Sequence, residues 1–113
     1  LVNLDKVQTE RTLLAPVIDG SDFAIELKES TAEPLIQAGS WICLMNPISI
    51  DEFFPGDPYL VQAGSNTILR KVFKGSEPDT IKLVTLGQVK EEIEVPKGTI
   101  KGISRLKGCI SLF

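Results

Sequence analysis

The sequence predicts a small, mainly β domain built from short antiparallel strands, a barrel or a sandwich. Three observations predict it. Short β-branched runs recur every eight to twelve residues along the chain. Turn residues punctuate them, notably Asp19-Gly20, Pro55-Gly56-Asp57-Pro58 and Gly64-Ser65-Asn66. Apolar residues make up 42% of the 113 but aromatics only 6%, so the core is mostly aliphatic. That length suits one domain and buries enough surface to fold without a metal or a disulfide.

The elements follow in order. Residues 1–10 are polar and aperiodic and read as a linker or arm, leaving 11–113 as the domain. An apolar run, Thr12 to Ile18, ends at the Asp19-Gly20 turn. Phe23, Ile25 and Leu27 alternate with Ala24, Glu26 and Lys28, the period of a strand with one buried face. Glu29 to Gly39 is a non-strand stretch. Trp41 to Met45 is continuously apolar and reads as a strand buried on both faces, with Trp41 in the core. A loop spans 47–58. Tyr59-Leu60-Val61 and Thr67 to Phe73 form a hairpin around the intervening turn.

Beyond the 74–79 loop, Ile81, Leu83 and Thr85 alternate with Lys82, Val84 and Leu86, and Gly87-Gln88 turns the chain again. Val89 to Val95 reads as a strand, because Val89, Ile93 and Val95 hold helical spacing poorly. The tail from Gly98 to Phe113 is strand-like, with bends or bulges expected at Gly102 and Gly108. Gly39 and Gly56 are expected at positive φ.

Composition narrows the chemistry. The chain has no histidine, which removes the Ser-His-Asp triad, the Cys-His pair and histidine-ligated zinc. Any hydrolytic base must then be a lysine or a carboxylate. Asp51, Glu52 and Asp57 lack the spacing of a calcium loop, and no cofactor or metal is expected. The net charge of −3 argues against this domain gripping a phosphate backbone. No stretch is long and apolar enough for a membrane span. Cys43 and Cys109 lie in apolar runs and read as two buried free thiols, which points to a reducing cytoplasm.

The order of four segments carries a resemblance. Thr31-Ala32-Glu33-Pro34 is followed by Gly39-Ser40 and a buried strand. Then come Pro55-Gly56-Asp57-Pro58 with its short strand, Thr67-Ile68-Leu69-Arg70-Lys71, and Ile100-Lys101-Gly102-Ile103. Together, over about residues 20–110, these are similar to the LexA-like self-cleaving repressor domain of the S24 peptidase family, whose fold is a small β-barrel-like domain. In that family a serine attacks a peptide bond of its own chain, and a neutral buried lysine takes its proton.

The departures bear on activity. The resemblance places Thr31 at the nucleophile position and Arg70 at the lysine position. Arginine remains protonated at physiological pH and cannot serve as a general base. Glu29 and Glu33 are conceivable bases that the spacing does not single out. A one-residue slip in both segments offers an alternative dyad, Ser30 with Lys71. Lys71 should face away from Arg70 unless a bulge intervenes. No Ala-Gly pair, the family's usual kind of scissile bond, precedes Thr31. The simplest roles for these residues are structural: turn hydroxyls for Ser30 and Thr31, and solvated edge charges for Arg70 and Lys71.

The resemblance therefore implies an oligomerisation and regulatory domain of a phage-type transcriptional repressor, without self-cleavage. The chain would be part of a longer protein. A separate helix-turn-helix upstream would hold operator DNA, and this domain would pair subunits as a homodimer or higher oligomer. The closing strand, Gly108 to Phe113, is the candidate contact. An active Ser30/Thr31 peptidase using Lys71, and an unrelated β-barrel binding module, are the alternatives.

Overall fold

The computed structural model describes residues 20–110. The expected linker at 1–10, the apolar run at 12–18 and the last residues of the tail lie outside the described residues. Among the described residues, seven antiparallel strands form one sheet: β1 (Phe23–Glu26), β2 (Trp41–Leu44), β3 (Pro58–Ala63), β4 (Asn66–Lys74), β5 (Thr80–Val84), β6 (Glu92–Pro96) and β7 (Ile100–Ile110). Their order across the sheet is β1-β2-β7-β3-β4-β5-β6. The fold is thus mainly β. Among the described residues the sheet is open rather than a closed barrel, because β1 and β6 each have a strand neighbour on one side only.

The 11-residue β7 is the spine of this sheet. Its first half pairs with β3, up to Tyr59 opposite Arg105, and its second half pairs with β2, from Leu106 opposite Leu44 to Ile110 opposite Trp41. Both pairings shift register, one beside Gly102 and the other beside Gly108. A bulge lets one long strand twist from one partner to the next, and a glycine at each place removes the side chain that would resist it.

Two cores lie against the sheet. One gathers Tyr59, Val61, Val72, Ile81, Leu83 and Ile103. The other gathers Leu27, Ala32, Ile36, Ile42, Leu44, Leu69 and Leu86. Strand β4 supplies both, Val72 to the first and Leu69 to the second, which is why its sequence shows no single polar face. β2 is buried at every position, Trp41 included. Gly39 and Gly56 take φ of 94° and 90°.

Two details depart from the sequence reading. The last-but-one strand begins at Glu92, leaving Val89 exposed in a loop. Thr85 closes that loop by donating to the Val89 carbonyl at 2.8 Å and accepting from the Glu91 N–H at 2.9 Å. Cys43 is buried, but Cys109 is exposed. Its position is consistent with this: β3 stops pairing with β7 at Arg105, so among the described residues no strand lies beside Cys109 on that flank. Both thiols are free. The register sets Cys43 opposite Gly108 and Cys109 opposite Ile42. They therefore lie on opposite faces and cannot reach each other.

Candidate functional site

The site lies where the 29–36 turn crosses the middle of β4. Local hydrogen bonds shape the turn: the Glu33 N–H donates to the Ser30 carbonyl at 3.1 Å, and the Ile36 N–H to the Ala32 carbonyl at 3.0 Å. Ala32 and Ile36 are buried and anchor it in the second core. The 85–91 loop holds it from the other side. The Gly87 and Gln88 N–H groups donate to the Thr31 and Glu33 carbonyls, each at 3.0 Å. A side chain at Gly87 is excluded, since a Cβ there would sit 2.3 Å from the Thr31 carbonyl oxygen.

This packing brings Thr31 and Arg70 together. Arg70 Nη1 donates to Thr31 Oγ1 at 3.1 Å and to Glu29 Oε1 at 2.7 Å. The Thr31 hydroxyl in turn donates to Glu29 Oε1. The other carboxylate oxygen, Oε2, accepts the Leu69 N–H at 2.9 Å. Arg70 also donates to the Leu69 carbonyl at 2.8 Å. The side chains of Arg70 and Glu29 are only 14% and 22% exposed, so Arg70 is held in the packing and is not the solvated edge charge expected of it.

The electrostatics oppose catalysis. Burial pushes the Glu29 carboxyl up, but hydrogen bonds from Thr31, Arg70 and the Leu69 N–H, with the Arg70 charge, outweigh it. The carboxyl titrates below its ordinary value. A carboxylate made less basic is a poor acceptor for a hydroxyl proton, and the guanidinium has no proton vacancy to offer. Glu29 is thus the third member of the cluster and binds the hydroxyl without activating it. The chemistry available is hydrogen bonding and charge pairing.

The alternative pair is placed differently. Ser30 is exposed, Lys71 is half-buried, and among the described residues no side-chain hydrogen bond joins Lys71 to Ser30 or to Thr31. Glu33 accepts the Ala38 N–H at 3.1 Å and takes no part in the cluster. Asp51 pairs with Lys97 and Asp57 with Arg105, and among the described residues no three metal-ligating side chains converge.

Beside the cluster lies an open groove of about 510 Å³. Residues 25–29 line one side, and Thr67, Ile68 and Arg70 of β4 another, with Leu60 completing an apolar lining. Among the described residues no helix is long and apolar enough to cross a membrane. Comparison of the chain with protein-family models, with curated proteins and with solved structures finds no match in any of the three.

Proposed function

We propose that this chain is the regulatory and oligomerisation domain of a LexA-like, phage-type repressor that does not cleave itself. One observation carries the reading. The two positions that the sequence order assigns to nucleophile and base, Thr31 and Arg70, meet across 39 residues, but as a hydrogen-bonded ion-pair cluster with Glu29. A site of this composition stabilises the domain and leaves no group to take the hydroxyl proton.

Subunit pairing is then the domain's contribution. Joining two weak DNA-binding heads raises their combined affinity without any new base contact. The end of β7 suits that contact, because its flank beyond Arg105 has no strand partner among the described residues and an open strand edge pairs readily with another chain.

The test has two arms on the full-length protein. Sedimentation should show a concentration-dependent dimer that Cys109→Pro weakens, since proline there removes a donor on the flank of β7 that faces away from β2. Long incubation at alkaline pH should leave the chain intact. A strict monomer overturns the pairing role. Self-cleavage lost in Lys71→Ala overturns the inactive reading in favour of the Ser30/Lys71 dyad.

A further inference from the structure

The Glu29–Arg70 pair does more than hold the turn. Hairpin β3–β4 closes on the two-residue turn Gly64-Ser65, with Ala63 opposite Asn66. Backbone groups alternate in direction along an antiparallel strand. The Gly56 N–H donates to the Val72 carbonyl and the Val72 N–H to the Asp57 carbonyl, so the even-numbered residues of β4 point towards β3. Thr67, Leu69 and Lys71 therefore aim their N–H and C=O groups at the opposite flank. β5 serves that flank only as far as Lys71, its last pair being with Val84. Among the described residues, no strand lies beside the edge of β4 at Leu69 and Thr67.

Side chains occupy the place of the missing strand. The Leu69 N–H donates to Glu29 Oε2 at 2.9 Å, as it would to a neighbouring carbonyl. The Leu69 C=O accepts from Arg70 Nη1 at 2.8 Å, as it would from a neighbouring N–H. Glu29 and Arg70 then join to each other at 2.7 Å. One carboxylate and one guanidinium reproduce the paired donor and acceptor of a single opposing residue. Unpaired strand edges otherwise recruit other chains, and two copies meeting here would present the same Thr67 and Leu69 groups about a two-fold axis.

We propose that the Glu29–Arg70 pair is a strand surrogate that closes the free edge of β4 and prevents two copies of this chain from pairing along it. The device costs nothing to the groove alongside, which remains open next to Thr67.

The test uses the full chain with Cys109→Ser, which removes the exposed thiol, and Thr67→Cys as a reporter on the edge. Mild oxidation cross-links two copies only when their β4 edges meet, whereas pairing through β7 leaves the reporters apart. With Glu29 in place the disulfide dimer should be scarce. Glu29→Ala should raise its yield by about tenfold or more, the equilibrium factor expected for losing a charge-assisted hydrogen bond. The Leu69 amide should lose protection from hydrogen exchange by a similar factor, with the Ile68 and Val61 amides unchanged. If Glu29→Ala unfolds the domain, Glu29→Gln keeps the shape of the turn while breaking the charge pair, and the same two readouts apply. Equal cross-linking and unchanged Leu69 protection in the folded variant would overturn the proposal.

Discussion

Arg70 Nη1 lies 2.7 Å from Glu29 Oε1, across 41 residues of sequence, and Thr31 fills the angle between them. The contact ties the non-strand segment after β1 to the centre of the β3–β4 hairpin. It also puts an always-charged group where the sequence order expects a titratable one.

Replacing Arg70 tests both consequences. Arg70→Ala strands a partly buried carboxylate and should cost about 1–3 kcal/mol, towards the lower end because both side chains retain some solvent contact. Chemical denaturation measures it. Arg70→Lys restores an amine, but Glu29 keeps that amine charged, so no self-cleavage should appear near neutral pH. Fragments from the single variant would show that the identity of residue 70 alone had silenced the site.

Acid should weaken the cluster. The folded-state pKa of Glu29 is depressed below its ordinary value. Its contribution is therefore fully present above the unfolded value of 4.5 and is lost as pH falls through the folded pKa. Glu29→Gln should flatten the decline in stability below that point, as read from denaturation midpoints across pH. A wild-type and variant decline of equal slope would separate the carboxylate from acid sensitivity.

Glu94 offers an independent titration. Hydrogen bonds from the Thr80 hydroxyl, the Ser76 hydroxyl and the Ser76 N–H hold its pKa down to about 2. It fastens the 74–79 loop to β6. A carboxyl-resolved NMR titration should show that depressed midpoint, and Thr80→Val should raise it towards 4.5. An ordinary midpoint in the wild-type protein would mean that the loop is not fastened in solution.

Gly87 and Gly98 form a contrasting pair. A Cβ at Gly87 meets the Thr31 and Glu33 carbonyl oxygens at 2.3 and 2.5 Å, whereas Gly98 has open space. Gly87→Ala should cost about 1–3 kcal/mol, and Gly98→Ala should stay within about 0.5 kcal/mol. Similar melting temperatures for the two variants would contradict the close approach of the 85–91 loop to the 29–36 turn.

Thiol reactivity checks the sheet register. Cys109 should react with a thiol reagent in the native protein, and Cys43 only after unfolding. Two fast thiols, or a disulfide within one chain, would contradict the placement of Cys43 opposite Gly108.

Strand alternation at Phe23–Leu27 and Ile81–Thr85, the turn at Gly64-Ser65 and the buried run at Trp41 were legible in the sequence. Period and turn chemistry are local properties, and they determined a mainly β chain with these strands in this order. The positive φ of Gly39 and Gly56 was legible for the same reason. What joins Glu29, Thr31, Leu69 and Arg70 is not local. It depends on where β5 leaves β4, on a turn filling the space it vacates, and on Gly87 admitting the neighbouring loop. Only the tertiary structure decided that the sheet stays open, that Cys109 is exposed and that Arg70 is held inside a cluster. A side chain's partner across 41 residues is set by packing of the whole sheet, and no short-range pattern encodes it.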